Sequence, residues 1–144
     1  MVGKSTSLKV VITLFILLGL ANCQSNTERG LVERIEKLDA ENQLIVQLAE
    51  LQIDPTQLDQ YLELLEEGIR TSVETESGVL SLYAMADMDN PNRITVVEVY
   101  ENQKAYESHI KSPHFLKYKN GTINMVDSLK LTRTKPVVFA AKKE

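Results

Sequence analysis

The chain predicts an α+β fold with the ferredoxin-like order βαββαβ. Three observations carry that expectation. An amphipathic helix comes after a β-branched run and directly after Asp54-Pro55, two apolar segments flank the turn cluster Asp87–Asn92, and a capped helix precedes one last strand.

Leu44–Leu51 is apolar and partly β-branched, which reads as the first strand. Asp54 can cap the helix after it, Pro55 suits a first helical position, and Gln57 can bond back across the first turn. Leu58, Leu62, Leu65, Ile69 and Val73 then form a stripe at spacings of three and four, with Glu63, Glu66, Glu67 and Arg70 on other faces. Glu76-Ser77-Gly78 ends this helix. Val79–Met88 and Ile94–Tyr100 read as an antiparallel hairpin around the Asp87–Asn92 turn. Asn102 can cap a second helix carrying Ala105, Tyr106, His109 and Ile110. Ser112-Pro113 stops that helix and begins a turn with Phe115, Leu116 and Tyr118. Residues 123–126 are helical or irregular, Leu129–Thr134 is the last strand, and Pro136 marks its end or an edge.

The hairpin strands are apolar at both parities, as Leu80 and Leu82 alternate with Val79 and Tyr83, and Ile94 and Val96 with Val97 and Val99. A strand apolar on both faces is buried on both, and the two helices cover only one. A homodimer with its sheets face to face is therefore expected.

The N-terminal 22 residues differ from the rest. Lys4 and Lys9 precede the apolar stretch Val10–Leu20, no acidic residue occurs before Glu28, and the stretch is too short to span a bilayer. It fits a secretory signal. Leu20-Ala21-Asn22-Cys23 resembles a bacterial lipobox, although Asn22 departs from the usual small residue. Cys23 is the only cysteine, so an intrachain disulfide is excluded and lipidation becomes its expected role. The implied organisation is a signal over 1–22, a tether with a short amphipathic helix (Leu31–Leu38) over 23–41, and a folded domain over 42–144. The expected location is the bacterial cell envelope, on the membrane through the N-terminal lipid. The formal charge of −4, with no cluster of Lys and Arg, excludes nucleic acid as a partner.

Between Glu76 and Tyr118 the residues Glu76-Ser77-Gly78, Asp89-Asn90-Pro91, Glu98-Val99-Tyr100, Tyr106-Glu107-Ser108-His109 and Ser112-Pro113-His114-Phe115 resemble the antibiotic biosynthesis monooxygenase (ABM) family of dimeric α+β barrels. The resemblance covers about residues 42–135. It implies an oxygenase needing neither metal nor flavin, acting on quinols or anthrone-like polyphenols. The family also holds haem-degrading members, whose pocket tryptophan this chain lacks, and proteins without a known reaction.

His109, on the helical face of Ala105 and Tyr106, is the candidate general base, because imidazole ordinarily titrates near neutrality. Alternatively it bonds Glu98 and pins helix to sheet. His114 is a candidate for orienting substrate or shuttling a proton, or else an exposed loop residue. Glu98, a carboxylate in an apolar strand, needs a partner such as His109 or Arg93 and could raise a histidine's basicity. Tyr83, Phe115 and Tyr118 are candidates for lining a pocket for a flat aromatic molecule. His109 and His114 match no standard ligand spacing, so a metal is not expected, and the resemblance implies no other cofactor. Two further readings stay open: a binding module without turnover, and a structural lipoprotein whose Leu31–Leu38 helix docks a partner.

Overall fold

Strand β1 (Ile45–Ile53) lies near the middle of a four-stranded sheet, because both of its edges find partners. One edge pairs antiparallel with β3 (Arg93–Tyr100) and the other with β4 (Val126–Thr134). β2 (Val79–Ala86) joins antiparallel to β3, and the resulting order β2-β3-β1-β4 is that of a ferredoxin-like α+β fold. The computed structural model describes residues 30–41 and 43–140. The expected signal over residues 1–22 and Cys23 lie outside the described residues.

Asp54 begins the first crossover. Its carboxylate accepts the backbone N–H of Thr56 at 2.9 Å and the side-chain amide of Gln57 at 2.8 Å, and Pro55 opens a 3-10 turn (Pro55–Gln57). These bonds, led by the one from Gln57, hold the Asp54 carboxyl below its ordinary range. The turn runs into α2 (Leu58–Thr75), whose buried face is rotated from the leucine stripe. At about 100° per residue, Tyr61 and Ser72 fall within about 40° of Leu65, while Leu62 and Val73 fall about 60° and 80° to one side. Tyr61, Leu65 and Ser72 are buried, and Leu62 and Val73 are exposed. The two polar groups can be buried because each is satisfied: the Tyr61 hydroxyl bonds that of Tyr118 at 2.8 Å, and Ser72 Oγ donates to the Gly68 carbonyl at 2.7 Å.

The hairpin turns on Asp87, which accepts the backbone N–H groups of Asp89 and Asn90 at 2.8 and 3.0 Å. These bonds hold its carboxyl below the ordinary range, and Arg93 adds to the effect. Asn102 caps α3 (Gln103–His109), its side chain accepting from Ala105 N at 2.9 Å. Ser112-Pro113, expected to begin a turn, instead begins α4 (Pro113–Thr122). Ser112 Oγ accepts from Phe115 N, and proline at the first position needs no N–H partner.

Strand alternation sorts the sheet into two faces. Ala49, Leu51, Ile53, Ile94 and Val96 pack under Tyr61 and Leu65 of α2 and against Met125. On the opposite face, Val46 and Val99 pack with Leu80 against Ile35 and Leu38 of α1, a helix over residues 30–40. Arg34 fastens that helix further, donating to Ser77 O at 3.2 Å and pairing with Glu101 at 3.1 Å. Thus the short amphipathic segment docks on its own domain. Leu38→Ala is expected to cost about 2 kcal/mol and to loosen this helix before the sheet. Hydrogen exchange should show faster exchange over residues 31–40 with the amides of β1 and β3 still protected. Equal acceleration in both would show that the helix does not open separately.

Candidate functional site

Between the sheet and its helices lies a cavity of about 540 Å³. Ala49, Leu51 and Val96 form its sheet wall, and Leu65, Ile69, Phe115 and Tyr118 its helical wall. One end is polar, with Gln47, Glu98, Tyr100 and His109 converging there. A mostly apolar pocket with a few polar side chains is the kind of site that takes a small organic molecule.

Sheet register sets that polar end. Gln47 is paired with Glu98 across β1 and β3, so both side chains emerge on the cavity face. Glu98 Oε2 accepts Gln47 Nε2–H at 2.9 Å and Tyr100 O–H at 3.1 Å. Burial pushes the Glu98 carboxyl above its ordinary range, against the downward pull of those two bonds. Burial and the neighbouring Glu98 likewise hold the Tyr100 phenol protonated. Arg133, opposite Gln47 on β4, places its guanidinium 4.1 Å from the Tyr106 ring centroid.

A raised carboxyl favours the folded state only while protonated. The stability it contributes is full below about pH 4.5, its ordinary value, and is lost as pH rises through the higher folded value. Gln at this position can accept the same two bonds without a charge. Glu98→Gln is therefore expected to raise Tm by a few degrees at pH 7–8, with the difference vanishing below about pH 4. A pH-independent difference in thermal melts would show that charge burial is not the cause.

His109 is the last residue of α3 and His114 sits in the first turn of α4, separated by a tight link in which Ser112 N donates to the His109 carbonyl at 2.9 Å. Glu76, the residue that ends α2 in an extended conformation, reaches both. One oxygen, Oε1, lies 2.8 Å from His109 Nδ1 and 2.6 Å from His114 Nε2. A carboxylate only accepts, so each imidazole donates, and His109 carries its proton on Nδ1. Glu76 and His114 lie outside the cavity wall, whereas His109 is part of it. The His109 ring is held between Tyr100 and Phe115, at centroid distances of 5.3 and 5.0 Å. Its Nε2 has no hydrogen-bond partner among the described residues.

The sequence-derived candidates therefore divide. His109, Glu98, Phe115 and Tyr118 meet at the cavity. His114 is neither a pocket residue nor an exposed loop residue, but is tied to Glu76 behind His109. The expected Glu98–His109 hydrogen bond is absent among the described residues: Glu98 bonds Gln47 and Tyr100, and His109 bonds Glu76. Tyr83 does not line the cavity. It pairs with Val97, one residue out of phase with Glu98, so it points to the other face, where it is 63% exposed. Glu76 and Gln47 were missed. Gln47, a polar residue at cavity parity within an apolar strand, carried a readable signal, whereas Glu76 looked like a helix stop 33 residues from its partner.

Fold and site together define a small α+β pocket protein with a histidine at the polar end of an apolar cavity, bonded to a carboxylate outside the cavity wall. The chain belongs to the antibiotic biosynthesis monooxygenase family, whose model matches residues 44–121. It is similar to the solved structure of a protein from Bacteroides thetaiotaomicron assigned by name to that family. That likeness has 42% identity and a TM-score of 0.68, covering 72% of this chain and 98% of the other. A monooxygenase so named from Lactobacillus acidophilus is similar at 26% identity and a TM-score of 0.62, with 63% of this chain spanning 43% of that one. A protein from Nitrosomonas europaea shares the fold, at 16% identity and a TM-score of 0.62 over 66% of this chain and 91% of its own. No functionally curated protein matches the chain.

Proposed function

We propose that this chain is an exported, lipid-anchored monooxygenase that needs no bound cofactor and oxidises a quinol or an anthrone-like phenolic compound with dioxygen. The observation that supports this reading is the His109 ring, which donates from Nδ1 to Glu76 while its Nε2 edge serves an apolar cavity. A neutral imidazole oriented in this way accepts a proton at Nε2 and becomes a cation beside the Glu76 carboxylate. The substrate anion then gives an electron to dioxygen, and the two radicals combine to a peroxide anion that takes the proton back from His109 as a hydroperoxide. For a methylene centre, loss of water leaves a carbonyl, so CH2 and O2 become C=O and H2O, and the substrate supplies all four electrons. The apolar walls exclude water from the anion, and Tyr100, held protonated, can donate only to the extent that Glu98 releases it.

The lipid anchor rests on the lipobox-like Cys23, and the homodimer on the outer sheet face, where Tyr83 and Met85 remain 63% and 51% exposed. An envelope-side address suits a reaction that draws its electrons from a lipid-borne quinol rather than from a cytosolic nicotinamide pool. The test is dioxygen consumption by the purified chain with a panel of quinols and anthrones, with product mass read in parallel. Uptake with one added oxygen atom in the product is expected. Tight binding without uptake across the panel would favour the reading of a binding module.

A further inference from the structure

We propose that Glu76, His109 and His114 form a binding site for a divalent transition-metal ion of the zinc and iron(II) class, on the edge of His109 that faces away from the cavity. Nδ1 of His109, Nε2 of His114 and a Glu76 carboxylate oxygen lie within 4.8 Å of one another. They come from three elements: the end of α2, the end of α3 and the start of α4. Their side chains are 15%, 7% and 18% exposed for Glu76, His109 and His114, so water competes weakly for the donors.

Two imidazoles and one carboxylate are the donor set that borderline divalent ions take, and three protein ligands leave a position for water. Both ring nitrogens already aim at the same carboxylate oxygen, at 2.8 and 2.6 Å. With metal–ligand bonds of about 2.0–2.1 Å in a tetrahedral site, neighbouring donors stand about 3.3 Å apart. The two short contacts must therefore open by less than about 1 Å while the imidazoles draw together, a change within reach of small side-chain rotations. The His109 ring is already clasped by Tyr100 and Phe115, which limits the ordering that binding requires.

Ion and proton compete for Nδ1. Without the ion, Nδ1 carries the proton and Nε2 accepts from the cavity. With the ion on Nδ1, the single proton of the neutral ring moves to Nε2, which becomes a donor and can no longer act as a base. Metal occupancy thus switches off proton abstraction. This consequence rests on the role proposed above for His109, while the site itself does not.

The test uses the full-length chain in mild detergent with Cys23→Ser, which removes its one thiol, titrated with Zn2+ by calorimetry and with Co2+ by visible absorption. One ion per chain is expected, with d–d bands typical of nitrogen and oxygen ligands, and no competition from Mg2+ or Ca2+. His114→Ala and Glu76→Gln are expected to weaken Zn2+ binding by about a hundredfold. Circular dichroism checks their fold. Should His114→Ala fail to fold, His114→Gln takes its place. Absence of Zn2+ and Co2+ binding up to millimolar concentration, or binding unchanged in both variants, overturns the proposal. Calorimetry needs no substrate, so a chain inert toward quinols still tests the site. In a chain that consumes dioxygen, Zn2+ should stop uptake and a chelator restore it.

Discussion

His109→Ala is expected to lower kcat for dioxygen uptake by about 10²–10⁴-fold, the range associated with a positioned general base, while the cavity still binds substrate. Alanine leaves the backbone of α3 intact, and the ring's loss enlarges the cavity without filling it. KM should therefore move less than kcat, the signature of an interaction made mainly in the transition state. Glu76→Gln should cost less, because a carboxamide oxygen can still accept from Nδ1 but no longer stabilises the imidazolium by charge. The order is the decisive reading: wild type fastest, Glu76→Gln intermediate, His109→Ala slowest. If His109→Ala turns over like wild type, the proton is taken elsewhere, and Glu98 becomes the group to replace next.

That ordering could not have been drawn from the sequence, and the reason is physical. Local signals describe neighbours along the chain. Asn102 before Ala105 and Asp54-Pro55 before Leu58 state their own structure, and the fold agrees with them. Ser112-Pro113 states two things at once, because a proline that stops one helix is equally suited to start the next. Here α4 starts. The pairing of Glu76 with His109 instead depends on where three element ends meet, and no periodicity encodes that meeting. Tyr83 is an intermediate case. Both parities of β2 are apolar, so alternation alone leaves its face open, but the register through Glu98 decides it. Glu98 marks the cavity parity, Leu82 lies opposite it, and Tyr83 must then point outward. The pocket aromatics Phe115 and Tyr118 are readable because both follow the second helix and line the cavity, whether the first turn of α4 is taken as helix or loop.

Gly78→Ala is expected to be the most damaging single-methyl change outside the pocket. A Cβ at Gly78 would lie 2.5 Å from Ala105 Cβ, a distance that requires backbone to move. Neither side can give easily. Gly78 is held by its carbonyl, which accepts Glu101 N at 2.9 Å, and by Val79, whose N–H is bonded to the Glu76 carbonyl at 3.0 Å. Ala105 sits in the first turn of α3, where its N–H is bonded to the Asn102 cap. The cost of such overpacking is about 1–3 kcal/mol, or roughly 5–15 °C in Tm for a domain of this size. The element that yields is α3, and α3 carries His109, so dioxygen uptake should fall as well although Gly78 touches no substrate. Ala105→Gly alone should cost about 1 kcal/mol, as glycine does within a helix. In the double variant the methyl groups no longer collide, so its melting temperature should lie near that of Ala105→Gly, with a coupling of about 1–3 kcal/mol. Additive losses in that cycle would mean that Gly78 acts through its own backbone freedom, and the contact with α3 would then not be what glycine protects.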